Sequence, residues 1–316
     1  MIDKLEMFIA LANERHFGRA AAAHGVTQPT LSAAIRALEG ELGVQLVARG
    51  ARFQGLTPEG ERVLDWARRI VTDSRQMRDE MRARRKGLGG VLRLGVIPTA
   101  LPMVADLAAP FLARHPNVRL QVLSRTSVEI LAEMEALQLD AGITYLDNEP
   151  LGRVSSVALY TERYRLLVHS THPLAGAGGV GWAALDGLQL ALLVDSMQNR
   201  RIIDQRLARA GVRVQAMLES NSLLALVGQV LAGGWVTVVT DEAAALFAGR
   251  ADLVALPITD APGRPGQPED QPGQGEAALP AYQVGLVAPW RETHTPLLAA
   301  LLQEAGRLAR RRKRVS

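Results

Sequence analysis

The sequence predicts an α/β protein in which a helical N-terminal region precedes two similar α/β lobes. Three observations carry that expectation. Apolar residues recur at helical spacing through residues 2–42 and again from Thr57. From Val91 onward, short apolar runs alternate with amphipathic helical ones. Charge divides the chain in the same way: residues 1–90 carry a net +4, residues 91–306 a net −6 and the last ten residues a net +6. Basic ends suit a polyanionic partner, which the acidic middle would repel.

Composition narrows the function. A chain of 316 residues has room for two or three domains of ordinary size. It contains no cysteine, and its six histidines show no metal-ligand spacing, so thiol chemistry, disulfides and zinc sites are not expected. The N-terminus MIDKLEMFIALANERHFG has neither a basic n-region nor a small-residue cleavage site. No apolar run reaches the roughly 18–20 residues that span a bilayer. A soluble cytoplasmic protein without a membrane partner is expected.

Leu5, Phe8, Ile9, Leu11 and Ala12 place a first helix over residues 2–14. Phe17 opens a second, short and rich in alanine, ending at His24 with Gly25 supplying the turn. The small side chains of Ala20 to Ala23 allow another helix to cross closely, so that Ala22→Leu is expected to spoil packing. Thr27 can cap a third helix and Pro29 fits its first turn. Leu31, Ile35, Leu38 and Leu42 form its apolar stripe, leaving Gln28, Thr30, Ser32, Ala33 and Arg36 on or near the outer face. This is a helix-turn-helix pattern, whose second helix enters the major groove of double-stranded DNA. A helical hairpin with solvated polar residues is the plainer alternative. Residues 43–57, GVQLVARGARFQGLT, weigh against it, because they suggest two short strands around a basic turn, a wing bringing Arg49 and Arg52 to phosphates.

The order FGRAA, GVTQPTLS, IRALEGELGVQLVARG and LTPEGERVL resembles the winged helix-turn-helix of LysR-type transcriptional regulators. The resemblance assigns DNA contacts to Thr27, Gln28, Pro29, Thr30, Ser32, Arg36, Arg49 and Arg52. Ala33 and Ala34 stand where such proteins often carry polar or basic side chains, so base reading shifts to their neighbours. Proline and alanine can still meet thymine methyls.

A long helix begins at Thr57, with Pro58 at its first position and Glu59 and Glu61 at the positive end of its dipole. Val63, Ala67, Ile70, Ser74, Met77 and Met81 alternate spacings of three and four, a coiled-coil seam expected to pair two subunits. A helix packed only on its own domain is the alternative. Two copies would present two recognition helices to an imperfect inverted repeat. The KGLGG hinge over 86–90 follows a helix and precedes a strand, the reverse of a dinucleotide fingerprint.

Beyond the hinge, VLRLGVI, VRLQVLS and DAGITYL read as strands of a largely parallel sheet, with helices around Met103 to Ala113 and in SVEILAEMEAL. YRLLVHS, LQLALLV, VRVQAML and WVTVVT read as strands of a second set, with helices near Met197 to Ala210 and Leu223 to Ala232. Residues 261–278 are rich in Pro and Gly and read as a loop. YQVGLVA is again a strand and TPLLAALLQEAGRL a helix, while the basic tail 307–316 reads as a solvated end.

The LysR resemblance implies a periplasmic-binding-protein-like effector domain that the chain crosses twice. It divides the chain into a DNA-binding domain (1–58), a linker helix and hinge (59–90) and an effector domain (91–306). Within the last, lobe one is 91–162 with 268–306 and lobe two is 163–267. Ligands in open α/β sheets sit beyond the carboxyl ends of strands, near helix N-termini. Thr99, Ala100, Thr126, Ser127, Thr144, Met197 and Gln198 occupy such ends, and for each hydroxyl a purely structural cap is the competing reading. A small anionic effector is implied. TYLDNEPLGR and MQNRRIID also resemble regulators associated with formate oxidation genes, making formate or another small carboxylate a candidate.

No nucleophile elbow, phosphate loop or metal cluster supports an enzyme, and His169 and His172 in VHSTHPL read as loop residues. No cofactor is expected. A transport-type binding protein would need an export signal and would not use a helix-turn-helix. The resemblance implies a dimeric or tetrameric transcriptional regulator, an activator by family habit, that contacts RNA polymerase.

Overall fold

The computed structural model describes residues 1–48, 50, 53–147, 149–213, 216–259 and 282–314. The chain divides into two compact units, one built mainly of residues 1–90 and the other mainly of the chain from Val91 onward.

In the first unit, α1 (Ile2–Glu14), α2 (Phe17–Ala23) and α3 (Gln28–Leu42) lie against the start of α4 (Pro58–Lys86). Their apolar faces meet in one core that includes Leu5, Phe8, Leu11, Ala20, Ala21, Leu31, Ile35, Leu38, Leu46, Leu64, Ala67 and Val71. Ala20 and Ala21 are buried while Ala22 and Ala23 are exposed, so only half of the alanine run takes part in the close packing that the sequence suggested for all of it, Ala22 included. Leu42 is 42% exposed, because the helix has by then run past its neighbours. Gly25 takes φ +69°, closing the turn between α2 and α3. In the wing one antiparallel pairing is formed among the described residues, Val47 with Leu56, flanked by backbone bonds from Ala48 to Gly55 and from Thr57 to Leu46. Arg49 and Arg52, assigned to the wing from the sequence, lie outside the described residues.

In the second unit the chain first builds β1 (Gly90–Val96), a 3-10 turn over Pro98–Met103, α5 (Val104–Arg114), β2 (Val118–Ser124), α6 (Ser127–Glu135), β3 (Ala141–Tyr145) and β4 (Val154–Thr161). It then crosses into β5 (Tyr164–His169), β6 (Val180–Gly181), β7 (Ala191–Leu193), α7 (Gln198–Arg209), β8 (Leu218–Ser220), α8 (Leu223–Ala232), β9 (Thr237–Thr240), α9 (Asp241–Ala245) and β10 (Leu253–Thr259). Finally β11 (Gln283–Pro289) and α10 (Pro296–Lys313) return to the first lobe and end the described chain. Sheet one runs β2-β1-β3-β11-β4 and sheet two β6-β10-β5-β9, with β7 and β8 as a separate parallel pair.

The strand directions differ from the largely parallel expectation. β1 and β3 are parallel, but β11 runs antiparallel to both β3 and β4, and β5 antiparallel to both β9 and β10. Crossing between lobes at β4 to β5 and again before β11 brings the chain back in the reverse sense. β4 and β10 were not legible as strands, and among the described residues of VRVQAML only the last, Leu218, is in a strand, where β8 begins. The described part of the basic tail is not a loose end either. Residues 307–313 form the last turns of α10, where Arg312 pairs with Asp106 at 2.6 Å and Glu242 at 2.5 Å, and Arg307 pairs with the buried Glu304 at 3.1 Å. The segment 261–278 lies outside the described residues.

Candidate functional sites

The N-terminal site is built by caps. His16 Nδ1 accepts from the Gly18 and Arg19 backbone N–H groups at 3.1 and 3.2 Å and starts α2. Thr27 starts α3: its hydroxyl lies 3.4 Å from the Thr30 amide and 2.8 Å from the Thr30 hydroxyl, with Pro29 in the first turn. Burial of Leu31, Ile35 and Leu38 then turns Gln28, Pro29, Thr30, Ala33 and Arg36 to solvent, with Ser32 half-buried beside them. The Thr30 hydroxyl is engaged with Thr27, which leaves Gln28 and Arg36 as the long polar side chains of this face.

Two further contacts set the wing against that helix. The Glu39 carboxylate accepts from the Leu46 and Val47 amides at 2.8 and 3.2 Å. Thr57 donates to the Gln45 carbonyl at 2.6 Å and accepts from the Gly60 amide at 2.9 Å, capping α4 where the wing ends. Gly60 passes so close that a Cβ there would sit 2.1 Å from the Leu46 carbonyl oxygen. Arg75 Nε and Nη2 reach Glu6 at 3.2 and 3.0 Å, tying α4 to α1.

The expected seam on α4 divides. Ala67 is fully buried in the domain core and Val63 packs against it, whereas Ile70, Met77 and Met81 are exposed and Ser74 is half-buried. Trp66, 62% exposed, joins Ile70, Met77 and Met81 in a narrow apolar stripe. The helix has a buried face through Leu64, Ala67 and Val71, and a second apolar face beside it. Spacing alone merges the two, because Ala67 fits either.

In the second unit a cleft of about 670 Å³ opens between the lobes, lined on one side by Pro98, Ser124, Arg125, Thr126 and Glu129 and on the other by Val194, Ser196, Met197, Glu219, Ser220 and Asn221. Of the expected effector residues, Thr126 and Met197 line it. Thr99, Ala100 and Ser127 are buried beside lining residues, Gln198 follows Met197, and Thr144 is fully buried. The Thr99, Ser127 and Thr144 hydroxyls close no hydrogen bond among the described residues. Thr126 is already a capping partner. Its amide and hydroxyl donate to the Glu129 carboxylate at 2.8 and 2.9 Å, which closes the N-terminus of α6 and holds Glu129 below its ordinary pKa. The N-terminus of α7 has no such side-chain cap. Gln198 reaches the Asp147 carbonyl at 3.4 Å and so spans the lobes. Arg200, behind it, is bound by Asp204, Glu219 and the Leu193 carbonyl.

Sequence reasoning missed a buried polar cluster where the chain first crosses between lobes. Glu162 Oε2 accepts from the Tyr145 and Tyr164 hydroxyls, each at 2.7 Å, and from Asn199 Nδ2 at 3.4 Å. Burial pushes its carboxyl up to about 7, opposed by those donors and by the nearby Thr99 hydroxyl. No local signal marks it, because the strand before it, β4, is itself not legible and the partners of Glu162 come from distant parts of the chain.

An exposed polar helix end on a helix-turn-helix, together with a two-lobed domain that opens a cleft between its lobes, is the arrangement of a DNA-binding transcriptional regulator with an effector-binding domain. The chain belongs to the LysR family: residues 2–61 match the family described as "Bacterial regulatory helix-turn-helix protein, lysR family", and residues 85–310 match "LysR substrate binding domain". It is 35% identical to a probable hydrogen peroxide-inducible genes activator of Mycobacterium avium over 257 residues, 80% of this chain and 81% of that one. It is 32% identical to the DNA-binding transcriptional dual regulator OxyR of Escherichia coli, over 81% and 84% of the two chains. A full-length OxyR variant from Pseudomonas aeruginosa shares the fold, with a TM-score of 0.72 at 23% identity over 98% of this chain and 94% of that one. These relatives are described by hydrogen peroxide or OxyR, and none of the three by formate. Among the described residues no helix is long and apolar enough to cross a membrane.

Proposed function

We propose that the protein is a sequence-reading activator that binds an inverted-repeat operator as a dimer or tetramer, engages RNA polymerase in the cytoplasm, and is switched by a small effector in the interlobe cleft. The observation that carries the reading is the recognition helix: three buried leucine and isoleucine side chains fix its roll, and Gln28, Pro29, Ala33 and Arg36 face outward from its N-terminal half. The stripe of Trp66, Ile70, Met77 and Met81 supplies an apolar face for pairing α4 with a second copy. Arg49 and Arg52, from their place in the wing sequence, would neutralise phosphates.

For the effector, a small anion has one structural support: the α7 N-terminus at Gln198 carries no side-chain cap, leaving its first amides and dipole to favour negative charge. Formate is the smallest carboxylate of that class. The relatives named for hydrogen peroxide make peroxide the other effector to try, but this chain has no cysteine, so a response could not pass through a thiol.

Fluorescence anisotropy on the duplex upstream of the protein's own gene tests the reading, against a scrambled duplex across salt concentrations, with and without formate, acetate and hydrogen peroxide. Preference for the upstream duplex that persists at higher salt is expected. Equal, salt-sensitive binding to both duplexes would refute it. An affinity change with a carboxylate and not with peroxide would support the anion class, and the reverse would overturn it.

A further inference from the structure

We propose that Glu162 is a positioning residue that couples the two lobes through a proton it takes up or releases, so that the walls of the effector cleft adjust to its protonation state. The proposal rests on reading the cleft as the effector site, and it stands on where the carboxyl sits. Glu162 lies in the short crossover between β4 and β5 and is 3% exposed. Tyr145 reaches it from the end of β3 in lobe one. Tyr164 and Asn199 reach it from the start of β5 and the first turn of α7 in lobe two. Asn199 also donates to the Tyr145 hydroxyl at 3.1 Å, closing a ring of contacts across the lobes.

The two carboxyl oxygens are served unequally. Oε2 has three donors, whereas Oε1 is buried and accepts no hydrogen bond among the described residues. Thr99, at the foot of lobe one, brings its hydroxyl near the carboxyl without closing a well-formed hydrogen bond. Its carbonyl lies 3.5 Å from the Thr240 hydroxyl of lobe two. The ionised carboxylate holds Tyr145, Tyr164 and Asn199 on Oε2 and leaves Oε1 a buried, unsatisfied anion. A proton taken from solvent onto Oε1 removes that unsatisfied charge, gives Oε1 an O–H that can donate to a hydroxyl nearby, Thr99 among those near the carboxyl, and weakens the three bonds to Oε2. Each state therefore favours a different set of interlobe contacts, the requirement for a two-state coupling element.

The surroundings place the transition near neutrality. Burial raises the carboxyl to about 7 and, with the Glu162 charge, raises the Tyr145 and Tyr164 hydroxyls well above their ordinary value. From β4, Tyr160 faces the same region and is raised by burial, by Glu162 and by Glu242 of α9, with Arg312 of α10 opposing. From α7, the Arg206 guanidinium lies 5.6 Å from the centroids of the Tyr164 and Tyr282 rings. Both ends of the cluster adjoin the cleft: Thr99 follows Pro98, and Asn199 is two residues from Met197, both of which line it.

Near-UV circular dichroism of the full-length protein without DNA or effector, from about pH 5.5 to 8.5, reads the packing of these tyrosines directly. Wild type should show a titration centred near neutrality. Glu162→Gln should abolish that step and hold the low-pH spectrum throughout, while titrations of other groups remain. Tyr164→Phe removes one donor to the carboxylate and should move the midpoint upward by about 1 pH unit. The same step in E162Q as in wild type, no step in wild type, or an unmoved midpoint in Y164F would overturn the proposal. If E162Q fails to fold, the Y164F midpoint decides alone. Because the signal needs neither DNA nor effector, failure of every small ligand tested to change operator affinity would sink the effector-site reading and leave this titration standing.

Discussion

Replacing Glu162 by glutamine is expected to flatten part of the dependence of stability on pH. In the folded chain burial raises this carboxyl from the ordinary 4.5 to about 7, and in the unfolded chain it returns to the ordinary value. Between those two values the folded state holds a proton that the unfolded state has released. Raising the pH therefore favours unfolding, and the advantage present below 4.5 is lost as the pH rises through the folded value of about 7. A gap of roughly 2.5 units at ~1.4 kcal/mol per unit amounts to about 3 kcal/mol, most of it falling between about pH 5 and 8. The amide of E162Q has no proton to exchange, while every other ionisable group is common to both proteins and cancels in the difference. Urea unfolding of the two proteins at a series of pH values, followed through the near-UV signal of the effector domain, gives the difference directly. Wild type should lose roughly 2–3 kcal/mol relative to E162Q across that range. A difference that stays constant within about 0.5 kcal/mol would refute the assignment of a buried, proton-holding carboxyl.

Ala20→Leu should destabilise the DNA-binding unit by about 1–3 kcal/mol through overpacking, whereas Ala22→Leu should leave its thermal unfolding and operator affinity unchanged. Gly60→Ala forces a methyl against the Leu46 carbonyl and should separate the wing from α4, read as a loss of operator binding while the effector-domain circular dichroism persists. Gln28→Ala should cost about 1–3 kcal/mol on the operator and leave affinity for scrambled DNA unchanged, measured by anisotropy on both duplexes. Met77→Asp should shift sedimentation velocity toward a smaller species, because it puts a charge into the exposed stripe of α4; unchanged assembly would remove that stripe from the subunit interface.

The local grammar of the chain determined most of its helices and strands. Thr27 and Thr57 mark helix starts because a side-chain oxygen can accept an amide that the helix leaves free, and Gly25 marks a turn because it takes φ +69° without strain. Spacing of Leu31, Ile35 and Leu38 fixed which face of α3 is buried, and hence which face is left for DNA. What the sequence could not determine depends on neighbours that are distant in the chain. Ala20 and Ala22 are chemically identical, and only the position of the crossing helix buries one and exposes the other. Ala67 fits a seam and a core equally until the rest of the domain claims it. β4 lacks the clean alternation of a half-buried strand, and it becomes one by pairing with β11, more than a hundred residues later. Glu162 is the extreme case. Nothing local distinguishes it from a solvated glutamate, and only the fold brings Tyr145, Tyr164 and Asn199 to it from both lobes and excludes the water that would have kept its proton ordinary.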